Sequence, residues 1–261
     1  MDLQSSAPEI RVVDRSILRY MVPVVFISMA ALGWWWSLSM ASEMRAENMT
    51  GMSMSMESTM GAAGFLLAWL AMMIAMMMPA MTPVVKLYAL ASGQGRVAPL
   101  SFFVGGYLVV WFVLGVPAYF AWRALNVPMA EGADWVGRLA GGSFVAAGIW
   151  QFTPLKEMCL RNCRSPISFF LRFGRRLERP FGASRMGATH GLFCVGCCWT
   201  MFVVLVAVGT MNIGWMLILT ALIIVEKTFR HGERVAELAG VVFLILGAIL
   251  LVSPGTITAI T

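Results

Sequence analysis

The sequence predicts an all-α, polytopic membrane helix bundle. Three observations predict it. Of 261 residues, 59% are hydrophobic and 12% are charged, against roughly 45–50% apolar and 25% charged in soluble domains. The mean hydropathy is +0.80. Uncharged runs of about 20 residues, the length that crosses a hydrocarbon core, recur along the chain, and basic residues collect between alternate runs.

The expected organisation is a cytoplasmic tail at 1–18 and a single membrane domain at 19–261, with about seven transmembrane helices. The tail carries Asp2, Glu9, Arg11, Asp14 and Arg15. The apolar run behind it is too long for a signal-peptide core, so span one, 19–40, is expected to stay. Trp34, Trp35 and Trp36 near its end suit headgroup anchoring. A Met-rich outer loop, 41–59, leads to span two at 60–85. The uncharged run 58–85 would reach about 42 Å as a helix. That exceeds the ~30 Å core, so it must tilt, break or protrude. Span three is 98–122 and span four 138–155, followed by a basic cytoplasmic loop at 156–187. Residues 188–225 hold no Asp, Glu, Lys or Arg, nearly twice a spanning length. They are split at GTMNIG into spans five, 188–209, and six, 213–226. Span seven is 238–252.

Charge orients the set. Arg11, Arg15 and Arg19 precede span one; Lys86 and Arg96 follow span two. Lys156, Arg161, Arg164, Arg172, Arg175, Arg176, Arg179 and Arg185 follow span four; Lys227, Arg230 and Arg234 follow span six. With seven spans all four groups share one side, which the positive-inside rule assigns, with the N-terminus, to the cytoplasm. The net charge of +6 thus needs no nucleic acid; anionic headgroups suffice. The segment PISFFLRFGRRLER, 166–179, suits a short interfacial helix.

Sulfur is the chemical signal. The run AMMIAMMMPAM, 71–81, holds six methionines, and 13 of the chain's 22 lie between Met40 and Met81. Met73, Met77 and Met81 recur at successive helical turns. Pro79 and Pro83 each remove an intrahelical bond, freeing the carbonyls of Ala75 and Pro79. Non-helical backbone at that depth survives only under protein or beside a cavity; a simple kink would read the same. Cys159 and Cys163 are one turn apart beyond span four. Span five opens with THGLFCVGCCW, where His190, Cys194 and Cys198 repeat at four and Cys197 follows Cys194 by three, giving one helical stripe. Gly191 and Gly196 suit close approach of a neighbouring helix. On the expected topology the methionines, His190 and both cysteine groups share a depth near the cytoplasmic face.

Each residue also has a packing reading, because cysteine and methionine are ordinary core residues. Their clustering favours chemistry. A permanent disulfide is disfavoured by the reducing side and by an odd cysteine count. Thiolate with thioether selects Cu(I), and thiolate with imidazole also suits zinc. Glu226 and Lys227 read either as an interfacial snorkelling pair or as groups supporting the ligands, with the Glu226 carboxylate facing the bundle as a proton acceptor or as a partner for His190. His231 reads as a solvated residue. Met52, Met54 and Met56 in the outer loop read as weak soft-ion capture or as linker.

These pieces resemble a bacterial family of predicted metal-binding integral membrane proteins, catalogued as a domain of unknown function. The similarity is carried by WLAMMIAMMMPAM from Trp69, QFTPLKEMCLRNCRSP from Gln151, HGLFCVGCCW from His190, Met211 with Asn212, and Glu226 with Lys227. It covers about residues 60–252. The matching positions are Met72, Met73, Met76, Met77, Pro79, Gln151, Pro154, Lys156, Cys159, Cys163, His190, Cys194, Cys197, Cys198, Glu226 and Lys227. The resemblance implies metal binding and names no reaction.

The leading expectation is copper handling, by a transporter or a carrier that loads a membrane copper enzyme. Cys159, Cys163, Cys194, Cys197 and Cys198 with His190 are the expected ligands, and Met73, Met77 and Met81 pass the ion. The bilayer, the metal ion and a membrane partner protein are the expected partners. Two alternatives stand beside it: a membrane thiol-disulfide oxidoreductase using Cys159/Cys163 and Cys194/Cys197, and a structural cysteine or zinc clamp in a membrane complex. The chain has no nucleotide-binding loop, so ATP-driven pumping by this chain alone is not expected; a non-enzyme is expected more than an enzyme.

Overall fold

A computed structural model describes residues 24, 25, 27–39, 42, 61–92, 98–130, 134–164, 171, 177–208 and 212–255. The tail 1–18, the outer Met-rich loop except Ser42, and most of the expected interfacial helix at 166–179 lie outside these residues.

The described residues are all helical or connecting. Helix α1 covers residues 27–39. It is followed by α2 (Ala62–Ser92), α3 (Leu100–Ala130), α4 (Asp134–Gln151), α5 (Pro154–Arg164), α6 (Pro180–Val208), α7 (Ile213–Thr228) and α8 (Gly232–Val252). Among the described residues, four stretches are long and apolar enough to cross a membrane: α2, Leu100–Leu125 of α3, α6 and α8.

The methionine-rich helix does not break. It runs through Pro79 and Pro83 for 31 residues, about 46 Å at 1.5 Å per residue. The reason is local. Pro83 removes the N–H that would reach the Pro79 carbonyl. The Thr82 hydroxyl donates to that carbonyl instead, at 2.8 Å, with Met78 O at 3.4 Å. Hydroxyl compensation of this kind is how spanning helices tolerate proline.

Span four also differs from expectation. Helix α4 ends at Gln151, and Cys159 and Cys163 ride on a separate short helix. Thr153 separates the two: its hydroxyl donates to Trp150 O at 2.8 Å and accepts from Lys156 N at 3.3 Å. That is an N-cap with proline at the first helical position. Helix α5 then buries Lys156, Leu160 and Cys163, an i, i+4, i+7 face, against α6 and α7. Lys156, counted above as an interfacial charge, is therefore an interior residue.

Helix α6 begins at Pro180, eight positions before the expected span. At the start of α7 the Asn212 side chain accepts from Trp215 N at 3.1 Å and caps the helix. Helix α8 begins at Gly232, six positions early.

Two packed pairs organise the bundle: α3 lies along α6, and α4 along α8. The α3–α6 contact depends on Gly106 and Gly187. A Cβ at Gly106 would collide with the Ser184 carbonyl, and one at Gly187 with the Phe103 carbonyl. The two backbones meet directly there, the small-residue packing of membrane helices. The Trp69 indole on α2 donates to Trp111 O on α3 at 3.0 Å. The Trp150 indole on α4 donates to Gly196 O on α6 at 3.1 Å. The common core holds the methionines of α2, the cysteines of α6 and Cys163.

Candidate metal centre

Methionine at successive turns of α2 faces protein. Met73, Met77 and Met81 are 1%, 0% and 1% exposed, so this stripe is turned away from lipid. Met77 meets a thiol: its Sδ lies 3.8 Å from Cys194 Sγ, 117 positions along the chain. Met73 and Met81 are buried one turn to either side.

The α6 stripe forms as its spacing predicts. His190, Cys194, Cys197 and Cys198 are all buried. Cys194 is the hub. The Tyr107 hydroxyl on α3 stands 3.2 Å from its sulfur. Lys227 Nζ donates to it at 2.9 Å and reaches Met77 Sδ at 3.9 Å. The Cys197 and Cys198 thiols donate to the Cys194 carbonyl at 3.0 and 2.8 Å. That carbonyl thus anchors both thiols one turn on.

A second sulfur pair joins α5 to α6. Cys163 Sγ and Cys197 Sγ are 3.9 Å apart. The neighbouring Cys194 and Cys197, then burial, hold the Cys163 thiol well above its ordinary pKa. Cys159 is half-buried on the same short helix. Its sulfur occupies the space that a side chain at Gly196 would take: an added Cβ would lie 2.7 Å away. All five cysteines are free thiols.

His190 lies in an aromatic sleeve, its ring centroid 6.2 Å from that of Phe103 and 6.0 Å from that of Tyr107. Among the described residues, no three His, Cys, Asp or Glu side chains form a group able to hold a metal ion. The expected ligands are instead divided. Met77 with Cys194 and Cys163 with Cys197 are in sulfur contact. Met73, Met81, Cys159, Cys198 and His190 are arranged around them.

Glu226 and Lys227 do not snorkel. They are 2% and 9% exposed, and they diverge. Glu226 accepts from Lys156 Nζ at 2.8 Å and Gln151 Nε2 at 3.2 Å, so its carboxylate is committed to α4 and α5 rather than to His190. Lys227 instead touches the sulfurs of Cys194 and Met77. The reason is helical phase: consecutive residues on a helix point about 100° apart, and α7 is covered by α5 on one side and by α2 and α6 on others.

Residues 66–250 match the family described as PpoB2, copper chaperone. The chain belongs to that family. No curated protein and no solved structure matches it. In this member of the PpoB2 family, the matched region contains α3 to α7 whole, with most of α2 and α8, and hence every residue of both sulfur pairs.

Sequence reasoning passed over Tyr107 and gave Lys156 no role beyond its charge. Tyr107 had one signal: it is among four tyrosines in the chain and lies inside an apolar span, where a hydroxyl usually finds a partner. Lys156 had a weaker one, its phase with Leu160 and Cys163.

Proposed function

We propose that this chain is a multi-pass protein of the bacterial inner membrane, with seven spans and its N-terminus in the cytoplasm, that carries Cu(I) and hands it to a membrane copper enzyme. The Met77–Cys194 sulfur pair carries the proposal, because it joins a thioether and a thiol in a dry interior. Thiolate with thioether is the soft donor set that selects Cu(I). With metal–sulfur bonds of roughly 2.3 Å, the value at zinc thiolates, sulfurs 3.8 Å apart subtend about 110° at a bridging ion. The Cys163–Cys197 pair, at 3.9 Å, fits the same construction. A structural zinc site asks for four ligands, and neither pair supplies them.

Membership of the copper chaperone family supports the cargo. The two sulfur pairs share α6, so passing the ion from Cys194 to Cys197 is a step of one helical turn. In this scheme Met73 and Met81 extend the soft surface along α2, and His190, Cys159 and Cys198 are reserve ligands. Anaerobic Cu(I) titration of the purified protein against a competing chelator tests it. Tight one-to-one binding lost in Cys194→Ala with Cys197→Ala is expected; unchanged affinity in that variant refutes the scheme.

The Cys163–Cys197 contact also supports the thiol-disulfide reading, since these thiols need to close by about 2 Å to reach disulfide length. Thiol trapping in cells separates the two: an oxidant-dependent Cys163–Cys197 bond favours redox cycling, and five reduced thiols under oxidant exclude it.

A further inference from the structure

A lysine buried in a membrane helix bundle requires a counter-charge or a dense set of acceptors, because an isolated buried ammonium is costly. The adjacent carboxylate does not serve Lys227. Glu226 is taken by Lys156 and Gln151. Lys227 turns instead to two sulfurs, Cys194 Sγ at 2.9 Å and Met77 Sδ at 3.9 Å. Those sulfurs are themselves 3.8 Å apart. The amine nitrogen and the two sulfurs therefore form a compact triangle, with the nitrogen placed against the same pair that the copper scheme assigns to the ion. Lysine has three donors and no acceptor, so the hydrogen bonds run from nitrogen to sulfur.

We propose that Lys227 is an exchangeable internal cation: its ammonium holds the Met77–Cys194 pair when no metal is bound, withdraws when a soft monovalent ion loads, and returns to help expel it. This rests on the sulfur-pair reading above and adds to it a selectivity rule and a release step.

The metal ligand is the thiolate rather than the thiol, so the loaded pair, one thiolate with Cu(I) or Ag(I), sums to zero once the ammonium has moved to the helix end. Zn(II) in the same place leaves one positive charge uncompensated in a buried site, which is strongly unfavourable. The same pair is thus matched in charge to monovalent soft ions, as it is matched in donor type.

The ammonium has somewhere to go. Lys227 is the penultimate residue of α7, whose last residue is Thr228. Thr228 and Phe229 are exposed. Lysine carries its charge on a flexible four-carbon stem that reaches an interface readily. The backbone at this helix end is fixed from outside, since the Arg164 guanidinium donates to Phe229 O at 2.5 Å and Arg230 O at 3.3 Å. Stem rotation alone can therefore move the charge while the helix stays.

The test is lysine acylation of the full-length protein in detergent or nanodiscs, read residue by residue by mass spectrometry, with and without Ag(I). Without metal, Lys227 should resist the reagent, as should Lys156 in its ion pair, while exposed Lys86 reacts. One equivalent of Ag(I) should raise Lys227 labelling by about tenfold, a population shift worth about 1.4 kcal/mol, and leave Lys156 protected. Zn(II) should not raise it. Cys194-dependent Ag(I) binding with no change at Lys227 overturns this inference and leaves the sulfur-pair reading intact. Ag(I) binding that ignores Cys194→Ala overturns both. Equal labelling with Zn(II) and Ag(I) overturns the selectivity rule. A second variant needs no labelling: Lys227→Leu removes the ammonium without adding a soft donor, and its bound Ag(I) should pass to an external chelator about tenfold more slowly. An equal or faster release from Lys227→Leu removes the expulsion step.

Discussion

Met77 on α2 and Cys194 on α6 bring a thioether and a thiol to 3.8 Å in the interior of a helix bundle. The contact depends on three independent local features: a helix that survives two prolines, a glycine-mediated α3–α6 crossing, and a cysteine placed one turn from His190. Met77→Leu tests the thioether alone. The swap keeps volume and apolarity, so stability should change by less than about 1.5 kcal/mol, while Cu(I) affinity should fall by at least about tenfold. Chelator competition and thermal unfolding on the same preparation read both quantities; an affinity equal to wild type removes Met77 from the ligand set.

The Lys156–Glu226 pair gives a prediction about stability. Both side chains are almost fully buried, at 2.8 Å. Removing one partner leaves a buried charge uncompensated, so Glu226→Gln should destabilise by about 3–5 kcal/mol. Replacing both, as Lys156→Met with Glu226→Leu, should recover most of that loss. A denaturant series comparing single and double variants decides it: a double variant no better than Glu226→Gln alone shows the pair acts through something other than charge balance.

What the chain discloses about itself follows a physical pattern. Helical periodicity reads well where neighbours in space are neighbours in sequence: the His190–Cys194–Cys198 stripe and the turns of Met73, Met77 and Met81 are legible because 3.6 residues per turn fixes them. It reads poorly where a partner is remote. Lys156 looks like one more base in an Arg-rich loop, since Glu226 lies 70 positions away. Proline is read as a break because its lost hydrogen bond is certain from sequence, whereas the Thr82 hydroxyl that replaces it is visible only once the rotamer is known. Lys227 was legible as a support residue and not as a contact of the sulfurs, because consecutive residues on a helix diverge and sequence does not say which neighbour each will meet.

The α3–α6 crossing predicts a different failure. A side chain at Gly187 has no room beside the Phe103 carbonyl, and α3 would have to move away. Tyr107, one turn on, would move with it and lose its 3.2 Å contact with Cys194. Gly187→Val should cost about 1–3 kcal/mol through overpacking and weaken Cu(I) binding as well, although residue 187 touches no sulfur. Tyr107→Phe separates the effects: it should keep the fold and alter only the metal affinity. Normal stability in Gly187→Val contradicts the close crossing.

Cys159 supplies a pH test on the short helix outside the spans. Burial, then the neighbouring Cys197, pushes its thiol above the ordinary value. The thiolate is the reactive form, so at pH 8 Cys159 should alkylate more slowly than a free thiol, and its rate–pH curve should lie at higher pH. The stability consequence has a definite sign. Between the ordinary thiol value and the raised one, the folded chain keeps a proton that the unfolded chain has lost. Stability is therefore full below the ordinary value and declines as pH rises through that window. Gly196→Ala adds a control, because a Cβ there lies 2.7 Å from the Cys159 sulfur and must push it outward. The displaced thiol is less buried, so its alkylation curve should move back toward that of a free thiol. A Gly196→Ala curve that coincides with wild type shows that the contact with α6 does not set the reactivity of Cys159.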